Sequence, residues 1–342
     1  MRKMNRTRLV AAAMTALPAV VFPAISSAQT IYSDNFNADS SANYNIFITA
    51  GATGPSSDAT FAYNYGAAPG SGGLGIPAAP HTTDGSTLGL RLRTDNLQSS
   101  VGTIVGAISI ATKGLSLPGQ YMVSVDVWGN YIGGTSIAAS GSNGSTGAAV
   151  GVGTSGTSLQ YIAANDGLLV ESFHDNGGGA NQAYRVYTDN THPNPTTAPY
   201  WAAGNGANSA TFSDPYYNFL TSQTAPAAQV TLSPSTQGGS TPVGVMGFAW
   251  HTMTILQDGV NVTWAIDGHT IATVPDSALT FGGSQVSLGA DDTGLSGNSA
   301  ANNQLLNADI WDNFTISEVP EPTSISLLDL GAAGLLLALR RK

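Results

Sequence analysis

Residues 250–274, WHTMTILQDGVNVTWAIDGHTIATV, decide the fold of this chain. Apolar and polar side chains alternate along residues 250–256, and two further β-type runs follow at 260–266 and 270–274. An Asp-Gly pair separates each run from the next, at Asp258-Gly259 and Asp267-Gly268. Alternation with a period of two is typical of a strand with one buried face, and Asp-Gly favours tight hairpin turns. The stretch therefore predicts a meander of three antiparallel strands.

The same alternation recurs outside the meander. It is clear at residues 88–93 and at 120–128, where Val123 and Val125 share one face and Asp126 lies on the other. No stretch between residues 29 and 318 shows a convincing helical period, so the sequence predicts an all-β fold, a single jelly-roll-like antiparallel β-sandwich. Residues 129–158 are dominated by Gly, Ser, Thr and Ala, which predicts a long mobile excursion from that sandwich.

Three segments of the body resemble a known group of sandwiches. A strand that starts with tryptophan at 250–256, a strand that ends in Asp-Gly at 262–268 and a closing strand at 309–317 are similar to the back half of concanavalin A-like lectin and glucanase domains, including laminin-G-type modules. The resemblance implies a fold and no particular activity. A galactose-binding-type jelly roll would give nearly the same pattern, so both alternatives stay open.

Composition excludes several classes of function. The 342-residue chain has no cysteine, which excludes disulfides, thiolate catalysis and cysteine-based zinc sites. Residues 29–318 contain four basic and nineteen acidic side chains, a net charge of −15 (4 minus 19). Such a body repels phosphate backbones, so we expect no nucleic-acid binding. Charged residues are only 9% of the chain, so its solubility must depend on uncharged polar side chains.

The N-terminal residues predict export. Four basic residues within positions 1–8 precede an apolar run at 9–25, and the small residues Ser26-Ser27-Ala28 follow. This order is typical of a secretory signal peptide. We expect cleavage after Ala28, which makes Gln29 the new N-terminus and leaves residues 29–318 as one β-sandwich domain.

The C-terminal residues 319–342 predict sorting. Val319-Pro320-Glu321-Pro322 precede a mostly apolar stretch at 323–339, and the basic cluster Arg340-Arg341-Lys342 ends the chain. Seventeen helical residues span about 25 Å, the short end of a transmembrane helix, and the basic cluster would stay on the cytoplasmic side. The three parts in this order resemble the PEP-CTERM sorting signal, which an exosortase recognises and processes.

That resemblance implies a location and partners. It implies delivery to the cell surface or extracellular matrix of a Gram-negative, exopolysaccharide-producing bacterium, with the secretion machinery and exosortase as partners and a membrane contact that is at least transient. Asp329 interrupts the apolar stretch, which weakens a permanent anchor more than a transient one. The alternative is a helix that simply tethers the protein to the membrane.

A repeated tripeptide marks a candidate metal site. Asp34-Asn35-Phe36 near the start of the body recurs as Asp312-Asn313-Phe314 near its end, and the first and last strands of such sandwiches are often neighbours. Asp34, Asp309 and Asp312 could then supply oxygen ligands to a structural Ca²⁺. The alternative is that Asp and Asn act as turn formers before aromatic strand residues.

Catalytic carboxylates are scarce. A glycoside hydrolase needs two carboxyl groups about 5 to 9 Å apart. The body contains only two glutamates, Glu171 and Glu318, and the nearest acidic residue to Glu171 at a same-face position is Asp175. We interpret Glu171 and Asp175 as a strand that runs into a turn, and we predict no catalytic residues.

Aromatic residues provide the remaining hint of binding. Tyrosine, tryptophan and phenylalanine are concentrated between residues 184 and 219, and Tyr200-Trp201 lies at the centre of this region. Aromatic rings can stack on sugar faces, so Tyr200 and Trp201 are candidate glycan-binding residues. The alternative is that these rings pack a long insertion onto the sheet.

Three functions remain open from the sequence. The first is a non-enzymatic structural or polysaccharide-associated matrix protein. The second is a weak glycan hydrolase or lyase, and the third is a purely adhesive scaffold without a ligand pocket. The sorting tail and the low charge favour the first.

Overall fold

The computed structural model describes residues 28–51, 54–55, 57–94, 106–133, 146–161, 166–175, 183–188, 200–203, 211–292 and 305–319. Residues 28–319 belong to one compact unit. No helix among the described residues is long and apolar enough to cross a membrane. Several predicted features lie outside the described residues: most of the signal peptide, the sorting residues Pro320, Glu321, Pro322, Arg340 and Arg341, and the predicted transmembrane helix at 323–339.

The described part of the chain is built from β-strands. Two short α-helices, α1 (Ala227–Leu232) and α2 (Pro234–Gln237), and short 3-10 helices such as Pro215–Phe219 interrupt them, and the sequence did not predict these helices. The strands are, in chain order, β1 (Thr30–Asp34), β2 (Tyr44–Ile48), β3 (Ala50–Gly51), β4 (Gly54–Pro55), β5 (Asp58–Asn64), β6 (Leu88–Arg93), β7 (Gly106–Thr112), β8 (Tyr121–Asn130), β9 (Thr146–Thr154), β10 (Leu168–Phe173), β11 (Tyr184–Thr188), β12 (Tyr200–Trp201), β13 (Trp250–Gln257), β14 (Asn261–Ile266), β15 (His269–Pro275), β16 (Gln285–Asp292) and β17 (Ala308–Glu318).

Two antiparallel sheets form the body. One sheet has nine strands in the order β12-β15-β14-β13-β8-β17-β6-β5, with β1 paired to β17 as well. The other has six strands in the order β11-β10-β9-β16-β7-β2. The prediction of an all-β antiparallel sandwich is confirmed, and so is the expectation that the first and last strands are neighbours.

The predicted meander is present as β13, β14 and β15. Its first turn is closed by Asp258, whose Oδ1 accepts hydrogen bonds from the backbone N–H groups of Val260 and Asn261 at 2.8 and 2.7 Å. In the second turn Asp267 and Gly268 both have positive φ angles, 50° and 77°. Two adjacent positive φ angles are the requirement of a type I′ hairpin turn, which explains the Asp-Gly sequence.

The core lies between the two sheets. Alternate residues of β8, β13 and β14 contribute Val125, Ile255 and Trp264, and the six-stranded sheet contributes Val150 and Leu288 from its facing side. The opposite residue of each strand, Asp126 on β8 for example, points away from the other sheet. Polar side chains on these outer faces form the sites described below.

One prediction about the body was wrong. Residues 129–158 contain β9, a buried strand between β10 and β16, rather than a continuous excursion. Its small residues have a packing reason: a Cβ at Gly147 would lie 2.7 Å from Glu171 Oε1 and 2.9 Å from Asp291 Oδ1. The glycines of β9 therefore reflect a crowded outer face, and residues 134–145 of the predicted excursion lie outside the described part of the chain.

Candidate functional site

The two Asp-Asn-Phe tripeptides come together because β1 pairs with β17, with Asp34 opposite Phe314. Asp34 Oδ1 accepts a hydrogen bond from the backbone N–H of Phe36 at 2.8 Å, and Asp312 Oδ1 accepts one from that of Asn313 at 2.7 Å. Phe36 and Asn313 both have a φ of 51°, a left-handed conformation that few residues other than glycine adopt. The repeated sequence thus encodes two tight bends at one place on the nine-stranded sheet.

A cavity of about 470 Å³ lies over these bends. We call it the polar pocket, because seven of its eight lining residues have polar side chains. Its residues are Ser33, Asp34, Asn35, His81, Ser124, Asn313, Phe314 and Thr315.

A histidine–aspartate pair borders the polar pocket. His81 Nδ1 lies 2.8 Å from Asp126 Oδ1, and the backbone N–H of His81 donates to Asp126 Oδ2 at 3.2 Å. Asp126 also accepts hydrogen bonds from Thr252 Oγ1 at 2.9 Å and Asn313 Nδ2 at 2.9 Å. Its side chain is 1% exposed whereas that of His81 is 62% exposed. A buried, fully hydrogen-bonded carboxylate therefore holds an exposed imidazole.

Asp312 lies behind this pair. Burial, together with the nearby Asp126 carboxylate, raises the pKa of Asp312 to about 6, although hydrogen bonds from Tyr65 and Asn313 oppose the rise. The Tyr65 hydroxyl donates to Asp312 Oδ2 at 2.9 Å. Asp312 consequently binds its proton more tightly than an ordinary aspartate does.

The predicted metal ligands do not converge. Asp309 lies on the same side of β17 as the core residue Trp311, and its Oδ1 is 2.5 Å from His174 Nε2. Asp34 Oδ2 instead accepts a hydrogen bond from the Tyr44 hydroxyl at 2.9 Å. No group of three acidic or histidine side chains that could hold a metal ion occurs in the described ranges. The proposed Ca²⁺ ligand set of Asp34, Asp309 and Asp312 is therefore not assembled there.

Aromatic side chains lie near the end of the nine-stranded sheet where β12 pairs with β15. Tyr200 on β12 is 69% exposed, and the Tyr216 hydroxyl donates to the Thr270 carbonyl oxygen on β15 at 2.7 Å. The Phe219 ring stacks on His269, with centroids 4.0 Å apart and an interplanar angle of 11°. We call Tyr200, Tyr216, Phe219 and His269 the aromatic edge. Tyr200 pairs with Thr273 on β15, and the same strand spans about 13 Å between Thr273 and His269.

Trp201 does not belong to the aromatic edge. Its side chain alternates with that of Tyr200, is 4% exposed and packs into the core. Of the two rings that the sequence identified, only that of Tyr200 can meet a ligand. The alternative that these aromatic residues pack an insertion onto the sheet holds for Trp201 and for Tyr217, whose ring stacks on Tyr184.

Glu171 is paired with a different acid from the one expected. Asp291 on β16 lies across β9 from β10, and its carboxyl group is close to that of Glu171: a Cβ at Gly147 would lie within 3 Å of an oxygen atom of each. Glu171 Oε2 accepts a hydrogen bond from the Tyr187 hydroxyl at 3.1 Å. Burial, and then the proximity of Glu171, raise the pKa of Asp291 well above its ordinary range, although Arg185 opposes this. We call Glu171 and Asp291 the carboxyl pair.

The carboxyl pair does not form an accessible glycosidase site. Both side chains are almost fully buried, so they cannot flank a glycosidic bond. The sequence missed this pair because the alternation of residues 286–289 was not followed to Asp291. Two more residues of the same period would have placed Asp291 on the face of Ser287 and Gly289.

Comparisons with known proteins give little beyond the architecture. Neither a family model nor a curated protein matches the chain. Among solved structures, a Bacillus subtilis protein of unknown function with a galectin-like fold is 9% identical, with 85% of this chain and 96% of that chain covered and a TM-score of 0.41. The carbohydrate recognition domain of Emp46p is 8% identical over 85% and 98%, with a TM-score of 0.40. A family 16 endo-glucanase of Bacteroides ovatus is 12% identical over 83% and 99%, with a TM-score of 0.35. The strand order of the two sheets, rather than these scores, defines the fold.

Proposed function

We propose that the protein is an exported protein of a bacterial surface or matrix that binds glycans at the aromatic edge without catalysis there. The observation that carries the proposal is the ring of Tyr200 in the aromatic edge, which is 69% exposed on strand β12. Exposing a large ring to water costs solvation free energy. Stacking on the apolar face of a sugar would offset that cost.

Charge indicates the kind of glycan. The four basic side chains of the body are placed away from the aromatic edge: Arg91 and Arg93 contact Asp58, Lys113 donates to the Ala42 carbonyl oxygen, and Arg185 lies on the six-stranded sheet. An acidic polysaccharide would therefore meet a body of strongly negative net charge without a cation to receive it. A neutral polysaccharide suits this surface best.

Export and sorting by the terminal signals remain part of the proposal. The fold supports them, since the Glu318 N–H donates to the Gln29 carbonyl oxygen at 2.8 Å. The two predicted processing sites, after Ala28 and from Val319 onward, thus lie side by side at the end of the paired strands β1 and β17. Processing there would leave both sheets intact.

The alternatives make different predictions. An enzyme that cleaves glycosidic bonds would need an accessible pair of acid and base groups, whereas the carboxyl pair is buried. A purely adhesive scaffold would self-associate and leave the aromatic edge without a sugar ligand. Analytical ultracentrifugation of the secreted protein, with and without polysaccharide, separates the scaffold from the glycan-binding protein.

Affinity electrophoresis tests the glycan proposal. The mature chain should be retarded by at least one neutral polysaccharide in a panel of β-glucan, xylan, galactomannan and chitin, and not by alginate. Tyr200→Ala should abolish the retardation, whereas Phe281→Ala, which removes an exposed ring elsewhere, should keep it. Equal retardation of both variants would contradict the assignment to the aromatic edge.

Intact-mass measurement on fractions of the host tests the location. The proposal expects a matrix-associated species that starts at Gln29 and ends within residues 319–322. A membrane-bound species that keeps Arg340 and Arg341 would show that the tail is an anchor.

A further inference from the structure

The polar pocket contains an arrangement that the proposed glycan-binding role does not use. His81 lines this pocket, and its ring is held by Asp126. The orientation of the ring determines which of its nitrogen atoms carries the proton. Because a carboxylate only accepts hydrogen bonds, the Nδ1 atom at 2.8 Å from Asp126 Oδ1 must carry the proton of the neutral ring. The lone pair is then on Nε2, so the free nitrogen of this exposed ring is its basic one.

Asp126 is supported as a positioning group would be. Its carboxylate accepts hydrogen bonds from Thr252 and Asn313 in addition to both contacts with His81, and almost none of it is exposed. Pairs with an exposed partner contribute little to the free energy of folding. Stability alone therefore does not explain why a buried carboxylate holds an imidazole that is 62% exposed. A buried carboxylate that orients a histidine is, by contrast, the usual way of preparing a general base.

A hydrogen-bond donor lies in the same cavity. The Asn35 Oδ1 atom accepts from the backbone N–H of Asn37 at 3.2 Å, so the amide oxygen is engaged and the amide NH₂ group remains to donate. Asn35 and His81 both line the polar pocket. The site therefore combines a base with a donor that can stabilise a negative oxygen, the two functions that acyl transfer requires.

The chemistry of the lining selects the substrate class. The pocket lining includes no lysine or arginine, which disfavours phosphate esters and uronates. A glycosidic bond needs a carboxylic acid that protonates the leaving oxygen, and an amide has a poor leaving group. A carboxylic ester needs only a base and an oxyanion donor, and the cavity volume suits an acylated sugar residue.

We infer that the polar pocket hydrolyses O-acyl esters of neutral sugars, with His81 as general base, Asn35 as oxyanion donor and Asp126 as a positioning residue. His81 Nε2 removes a proton from a water molecule while the water oxygen bonds to the ester carbonyl carbon. The bond between that carbon and the sugar oxygen then breaks, and the sugar oxygen takes the proton from Nε2. The products are the free sugar hydroxyl and the carboxylic acid, with no change of oxidation state.

The activity is distinct from binding at the aromatic edge and is measured separately. The mature chain is incubated with p-nitrophenyl acetate and with acetylated xylan, and released p-nitrophenol or acetate is measured across pH. His81→Asn should lower kcat/KM by about 100-fold or more, the usual contribution of a general base. Asp126→Asn should lower kcat more than it raises KM and displace the rising limb of the pH profile. His251→Asn, which alters a comparable pair with Asp267 on the same sheet, should leave the activity unchanged.

Three results would overturn the inference. The first is turnover no faster than that of free imidazole at the same concentration. The second is turnover that His81→Asn leaves unchanged, and the third is an equal loss in the His251→Asn control. Because His81 is largely exposed, its variant should fold, which circular dichroism checks; the result therefore stands even if Asp126→Asn destabilises the sheet. The carboxyl groups of Asp34, Asp126 and Asp312 lie around His81, and the analysis of the pH profile includes all three.

Discussion

Replacing Asp291 by asparagine tests whether Asp291 keeps its proton in the folded protein. Neither carboxyl oxygen of Asp291 has a hydrogen-bond partner in the described structure. A buried carboxyl group without a donor, close to the Glu171 carboxyl group, is more stable with its proton, in agreement with the raised pKa of Asp291. Asparagine has nearly the same shape and no titratable proton, so Asp291→Asn removes this group from the titration.

The magnitude follows from proton linkage. The pKa of Asp291 is raised above its ordinary value of 3.8, so at higher pH the unfolded chain loses the proton while the native protein keeps it. The free energy of unfolding of the native sequence should therefore fall by about 1.4 kcal/mol per pH unit in that window from this group alone. Its contribution is fully present below the unfolded value and is lost as the pH rises.

The assay is urea unfolding of both proteins at about pH 5, 6 and 7. Groups remote from Asp291 titrate alike in the two proteins, so the difference in free energy of unfolding isolates the carboxyl pair. The stability of Asp291→Asn relative to the native sequence should rise with pH by up to about 1.4 kcal/mol per unit. Asp166→Asn provides a control without this slope: hydrogen bonds from Ser155 outweigh burial and lower the pKa of Asp166, so this group is ionised in both the folded and the unfolded state across the assay range. Parallel stability curves for Asp291→Asn and the native sequence would refute the raised pKa of Asp291.

Further predictions concern packing. Gly147→Ala places a methyl group against both members of the carboxyl pair and should lower the free energy of unfolding by about 1–3 kcal/mol, whereas Gly119→Ala, with open space at its Cβ, should be tolerated; thermal unfolding measures both. Trp201→Ala should cost about 3–5 kcal/mol by urea unfolding because its ring is in the core, and Tyr200→Ala should change stability by about 0.5 kcal/mol or less. A similar cost for both aromatic variants would contradict the assigned burial.

Local sequence signals predicted the meander and the meeting of the chain ends. Asp267-Gly268 suits a turn with two positive φ angles, and this preference acts between adjacent residues. The repeated Asp-Asn-Phe likewise marks two local bends, and strand pairing brings them together. The sequence did not predict the polar pocket at these bends, because His81 and Asp126 come to it from distant parts of the chain.

The wrong predictions arose where a segment was interpreted from its own residues, without the strands that lie beside it in the sheet. The glycines of β9 indicated a loop, yet at Gly147 the absence of a side chain is required by residues from β10 and β16. Glu171 was compared with Asp175, its neighbour in sequence, whereas its partner Asp291 is two strands away in the sheet. Such pairings depend on register across strands, which the residues of one strand do not specify.

Retardation of the mature chain and of Tyr200→Ala in gels that contain neutral polysaccharides tests the central claim most directly. The account predicts that at least one neutral polysaccharide retards the unaltered protein, that the variant migrates as in an empty gel, and that Phe281→Ala behaves like the unaltered protein. Migration unaffected by every polysaccharide, or retardation that survives in Tyr200→Ala, would contradict glycan binding at the aromatic edge.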